Sequence, residues 1–184
     1  MNNFLYVLIV VCMMGCSEDI KPKPNAYLSL SYPKKEYHRV LVTTLPYSFE
    51  VAQQTEVITL PKQWLKIKYP SLKASIDITY RPVNDNLKEL LMESEKLVFE
   101  HTIKADQIGS KTFENATTKV YGTMYDIKGN SASQVQFHVT DSATHFLKAS
   151  LFFYSKPNYD SILPAVVYIK EDMIRMMETM EWQK

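Results

Sequence analysis

Alternation of apolar and polar positions makes Thr117 to Tyr154 the centre of the chain. Tyr121, Thr123, Tyr125 and Ile127 fall on one face of a strand, because successive side chains point to opposite sides. Lys128-Gly129-Asn130 breaks the run, and Gly and Asn accept positive φ, so a tight hairpin turn is expected there. A second strand sets Ser133, Val135, Phe137 and Val139 on one side and Gln134, Gln136 and His138 on the other. That alternation predicts an antiparallel sheet with one dry face. Asp141 to Thr144 makes the next corner, where Asp and Ser bond their own backbone. In a third strand, His145 to Tyr154, Leu147, Ala149, Leu151 and Phe153 lie opposite Phe146, Phe152 and Tyr154. Both of its faces are therefore expected to be partly covered.

Upstream, Tyr27 to Tyr32 alternates as a first strand that Pro33 stops. Short strands are expected over Tyr37 to Thr43 and Tyr47 to Val51, bounded by Pro46 and by Gln53-Gln54-Thr55. Trp64 to Tyr69 and Ala74 to Arg81 form a hairpin across Pro70 to Lys73. Setting Tyr69 opposite Ala74 places Ile67 on Ile76, Leu65 on Ile78 and Lys66 on Asp77. One register thus pairs apolar residues on one side and opposite charges on the other. Asn84-Asp85-Asn86, with Glu89 three residues past Asn86, caps an amphipathic helix. Leu87, Leu90, Leu91, Leu97 and Val98 form its inner face, and it is expected to end near Ala105. Asn158 to Ser161 opens a last helix with Pro164 in its first turn. Ile162, Val166, Ile169, Met173, Met176 and Met180 make a stripe that fits core packing; a soft contact surface for a partner is the alternative.

The leader changes the picture of where this domain lives. Phe4 to Met14 is unbroken apolar sequence, too short for a bilayer but suited to a secretion signal. Met13-Met14-Gly15-Cys16 is similar to the lipobox of bacterial lipoproteins, although no Lys or Arg precedes it and Met is unusual before the Gly. A plain signal peptide cut elsewhere, or a short buried strand, is the alternative. Cys12 would leave with the leader, and Cys16, once acylated, would leave no free thiol. A disulfide framework and a thiolate metal site are both excluded on that reading. Stable anchoring takes more than one acyl chain, so a multiply acylated Cys16 tethers the domain to a membrane surface. The expected organisation is a signal peptide over 1–15, a lipid anchor and polar tether over 16–26, and a single domain over 27–184. Ser17-Glu18-Asp19 looks like a surface-export signal of lipoproteins in the Bacteroidetes, or is simply part of the Pro-rich, charged tether.

Charge and candidate chemistry narrow the function classes. A formal net charge of +1 over 184 residues argues against nucleic acid as a partner. The four histidines, His38, His101, His138 and His145, lack metal-site spacing, and no nucleophile elbow or phosphate-binding Gly loop occurs. His138, Asp141 and His145 could assemble with Ser142 or Thr140 as nucleophile, but turn chemistry accounts for Asp141 and Ser142 without catalysis. No cofactor and no enzyme activity are expected. Large aromatics dominate interfaces as well as cores. Tyr32, Tyr37, Tyr47 and Tyr154 are candidates for a docking surface, with core filling as the alternative.

Several segments together resemble a known family. They are Gly15-Cys16, the stretch Pro46 to Glu50, the hairpin WLKIKYPSLKASIDITYR, the segment QFHVTDSATHFLKASLFFYSKPNYDSILP, and a helix expected to end in Glu181-Trp182. The chain resembles GldD, the gliding-motility lipoprotein family of the Bacteroidetes. The resemblance implies a cell-envelope component needed for gliding, associated with type IX secretion and held in a membrane, expected to be the outer one. It implies fatty acylation, palmitate included, at Cys16, and partners among other gliding and secretion envelope proteins. No catalytic residue is implied. The fold class expected is α+β: a mainly antiparallel sheet covered by two helices, an order that also looks like the PsbP-like α/β/α sandwich. A small-ligand or lipid-binding domain is the alternative function, favoured by a closed apolar pocket between helix and sheet.

Overall fold

The computed structural model describes residues 32–100, 105–154 and 158–183. The leader, Cys16, the tether and all of the first expected strand except Tyr32 lie outside them. Seven strands form the main sheet: β3 (Glu56–Leu60), β4 (Trp64–Tyr69), β5 (Ala74–Pro82), β6 (Ala105–Asn115), β7 (Val120–Gly129), β8 (Val135–Thr140) and β9 (His145–Phe153). Their spatial order is β3-β4-β5-β9-β8-β7-β6, and all neighbours are antiparallel. Two meanders thus meet along the β5–β9 seam, where Ile76 faces Leu151 and Ile78 faces Ala149. A second, three-stranded sheet has β2 (Tyr47–Ala52) between β1 (Tyr37–Val40) and β10 (Glu181–Trp182).

The hairpin register is the expected one. Tyr69 pairs with Ala74, Ile67 with Ile76 and Leu65 with Ile78. Lys66 and Asp77 lie opposite each other, with Nζ 3.0 Å from Oδ2. Strand parity then sorts the sheet into two faces. Leu65, Ile67, Ile76, Ile78, Phe137, Val139, Leu147, Ala149 and Leu151 make one dry face. The helix α2 (Tyr159–Glu178) covers it with the predicted stripe, in which Ile169, Met173 and Met176 are fully buried. Asn158 caps α2 by accepting from the Ser161 N–H at 3.4 Å. The second helix, α1 (Leu87–Glu100), lies on the opposite face, where Val98 packs on Tyr125 and Ile127. The layers therefore run helix, sheet, helix, in an α+β fold.

Several expectations are corrected. All six residues of β8 are buried, so the sheet has two covered faces at its centre and not one. The reason is α1, which seats Ser94 against the Gln136–His138 side. Only Leu90, Ser94 and Val98 of α1 are buried; Leu97 is exposed, because the helix touches the sheet along a narrow i, i+4 line. The segment from Ala105 is a strand, not the tail of that helix. Neither β3 nor β6 was expected; both are sheet edges with little one-sided burial. The connection after β7 is longer than a tight turn: Gly129 takes φ 103°, Ile127 N–H bonds Gln134 C=O at 2.8 Å, and β8 begins only at Val135. Pro164 sits in the second turn of α2, and the helix stops at Glu178, so Glu181-Trp182 is strand β10.

Gly122 marks a close crossing, opposite Val139. A Cβ there would collide with the His138 carbonyl oxygen and lie 2.8 Å from Val139 Cγ1. Backbone cannot yield as a side-chain end does. Gly122→Ala is therefore expected to destabilise by about 1–3 kcal/mol through overpacking. The gain from a stiffer unfolded chain, about 0.4–1 kcal/mol, is smaller. Urea unfolding measures the difference; an unchanged or raised midpoint would refute the crossing.

Candidate functional site

The corner between β8 and β9 holds the residues with the most reactive chemistry. Asp141 Oδ1 accepts from the backbone N–H groups of Ala143, Thr144 and His145 at 3.0, 2.8 and 2.8 Å. Burial pushes the Asp141 carboxyl up, but these three donors outweigh it and hold the group below its ordinary value. Ser142 takes φ 68°, and its N–H bonds Thr140 Oγ1 at 3.0 Å. His145 Nδ1 lies 2.8 Å from the Tyr80 hydroxyl. Its ring stacks on Trp182 with centroids 5.0 Å apart and planes 7° from parallel. Burial lowers the His145 pKa despite the Asp141 charge. The corner thus brings His145 to a phenol, not to Ser142 or Thr140, and Asp141 serves the turn. Trp182 comes from β10, so this cluster ties the end of the chain to the corner.

His138 is buried on the α1 side of β8, 3.4 Å from Ser94 Oγ and stacked on Phe146 at 5.8 Å. Burial, then the Lys148 charge, pushes its pKa down to about 4. Ser94 is equally enclosed.

Of the four tyrosines expected to form a docking surface, Tyr154 is 59% exposed. Tyr47 is corrected: it is 1% exposed, stacked on Phe49, and donates its hydroxyl to the Gln63 carbonyl at 2.7 Å. It is buried because β2 is the middle strand of its sheet and packs beneath α2. Tyr32 is half-buried against Tyr168, with ring centroids 5.1 Å apart. Tyr37 is half-buried too, and its hydroxyl donates to Asp172 Oδ1 at 2.9 Å. Both rings belong to the packing of α2 more than to a free surface. Cys16 lies outside the described residues.

Sequence reasoning missed an open cleft of about 850 Å³ beside α1. Asp77, Thr79 and Arg81 of β5 and Lys148, Ser150 and Phe152 of β9 form its floor. Leu90, Glu93 and Leu97 of α1 make one wall, and Trp64 stands at the far rim. Arg81 bridges floor and wall through a 2.6 Å contact with Glu93. The signal was present in the strands: Asp77, Thr79 and Arg81, like Lys148 and Ser150, are polar at alternate positions opposite the dry face. A closed apolar pocket between helix and sheet would favour the ligand-binding alternative; the cleft on the α1 side is open, and the α2 side carries the main buried core. Among the described residues, no group of three or more His, Cys, Asp or Glu could hold a metal ion, and no helix is long and apolar enough to cross a membrane.

This fold is an α+β sandwich, with a helix on each face of its main sheet. The family model for the gliding motility lipoprotein GldD matches residues 17–182, and the chain belongs to that family. Membership implies a role in gliding motility and a membrane-anchored place in the cell envelope. A solution structure of cyanobacterial PsbP (CyanoP) from Synechocystis is similar over 86% of this chain and 98% of its own, with 6% identity and a TM-score of 0.49. No curated protein matches.

The depressed pKa of His138 makes stability depend on pH. Between about 4 and 6.5 the unfolded chain binds a proton that the folded chain refuses, so stability falls as pH drops through this window. The loss is at most about 3 kcal/mol. His138→Gln should flatten that slope in denaturant unfolding at pH 4.5 and 7; an unaltered slope would show that His138 is not its source.

Proposed function

We propose that the chain is a non-enzymatic envelope component, anchored through acylated Cys16 to the outer membrane. It works in gliding alongside the type IX secretion apparatus by docking onto other envelope proteins. The family match over residues 17–182 carries this reading. The corner chemistry supports its inert character, since Asp141 and His145 are held in structural bonds. Tyr154 and the exposed apolar residues Met92 and Phe99 offer contact area for a neighbour.

Cys16→Ala is expected to shift the protein out of the membrane fraction and to abolish or sharply reduce gliding. Mass spectrometry of the native polypeptide should find an acylated terminus at Cys16. Crosslinked or co-purified secretion components should be retained from solubilised outer membranes. A chain that keeps residues 1–15, or that always purifies alone, would overturn the anchor or the docking role respectively.

A further inference from the structure

The cleft beside α1 carries charges that do not cancel. Arg81 is paired with Glu93 at 2.6 Å, and Asp77 with Lys66 at 3.0 Å. Lys148 is left over on the floor, while Lys62, a second lining cation, lies over the Trp64 ring at 5.8 Å. Lys148 is half-buried, with no ion pair to a carboxylate among the described residues; Glu93, already on Arg81, attracts it only from a distance. An ammonium held in a partly apolar cleft without a counter-ion is an incomplete arrangement. Burial lowers the Lys148 pKa, as that position requires.

A second feature lies behind the same floor. Ser150, two residues along β9 on the same face, donates to Gln136 Oε1 at 3.4 Å. Gln136 is buried, and its Nε2 finds no hydrogen-bond partner among the described residues. Buried amide donors are nearly always satisfied, so an orphan one beside an unpaired cation is informative. Around Lys148 and Ser150 the walls are apolar: Phe146 and Phe152 from β9, Leu90 and Leu97 from α1, and Trp64 at the rim. A few convergent polar groups in a mostly apolar concavity of this size describe a ligand site.

We propose that this cleft binds an amphiphilic carboxylate. Its anionic head sits at Lys148 beside Ser150, which Gln136 backs from behind the floor, and its apolar body lies between Phe152, Leu97 and Trp64. A free carboxylic acid and the carboxyl terminus of a peptide share that chemistry. The site is independent of the anchor and of the docking role, because it is formed within the folded body.

Calorimetry on the full lipidated chain in detergent micelles, with empty micelles as blank, tests it. The probes are 4-phenylbutyrate, neutral 4-phenylbutanol, cationic 4-phenylbutylammonium and a peptide ending in Phe with either a free or an amidated terminus. Saturable one-to-one binding of the butyrate is expected, at least fivefold tighter than the alcohol and with no binding of the ammonium. Lys148→Met should erase the preference for butyrate over alcohol. Leu97→Asp, at an exposed rim position, should weaken the butyrate at least fivefold without touching the core. Tighter binding of the free-terminus peptide than of the butyrate would assign the carboxylate to a polypeptide end; the reverse would assign it to a small acid. Absence of saturable butyrate and peptide binding, equal affinity for the ammonium, or a preference that survives Lys148→Met would each overturn the site.

Discussion

The arrangement depends on one buried carboxylate. Asp172 is fully enclosed on the inner side of α2. It accepts from Tyr37 of β1 at 2.9 Å and from Tyr69 of β4 at 3.0 Å, and it pairs with Lys35 at 2.8 Å. One side chain therefore joins the helix, both sheets and the strand-free entry segment. Lys35 also donates to the Tyr168 carbonyl and lies 4.2 Å from the centre of the Tyr168 ring. A carboxylate out of water is tolerated only with such donors around it. Burial, and then the Asp172 charge, holds Tyr69 protonated far above its ordinary range, so the phenol remains a donor. The Met-rich stripe is adaptable and would pack in more than one way. The Asp172 bonds permit one position.

That constraint explains why the two faces differ. The α2 face is pinned by Asp172 and joined by Lys170–Asp126 at 2.6 Å and Arg175–Glu50 at 2.7 Å, and it carries the main buried core. The α1 face has no comparable anchor. Its helix rests on Leu90, Ser94 and Val98, with one exposed bridge to the sheet, Arg81–Glu93, that contributes little. A narrow contact line leaves the β5–β9 floor partly open, and the cleft is the result. Structural rigidity and open surface are thus divided between opposite sides of one sheet.

Much of this was legible in the chain. The β4–β5 register could be read because two independent patterns, apolar pairing and Lys66–Asp77, agreed on it. The α2 stripe and the Asp141 turn followed from spacing and side-chain chemistry. The edges were not legible: no residue of β3 or β6 is fully buried, so burial imposes little alternation on them. The burial of Tyr47 escaped notice because it comes from β2 being a middle strand, which only the distant β10 makes it. The cleft drew on residues of four elements, from Trp64 to Phe152, and no local window contains them. Asp172 is a lone acid within the helix pattern, and its partners lie more than a hundred residues away.

The most direct test is the equilibrium unfolding of Asp172→Asn. The substitution keeps the shape and removes the charge, leaving Lys35 without its buried partner. Breaking such a pair from one side costs about 3–5 kcal/mol, so a lowered denaturant midpoint with an unchanged slope is predicted. A midpoint equal to that of the parent would contradict the claim that this carboxylate fixes α2 on the sheet.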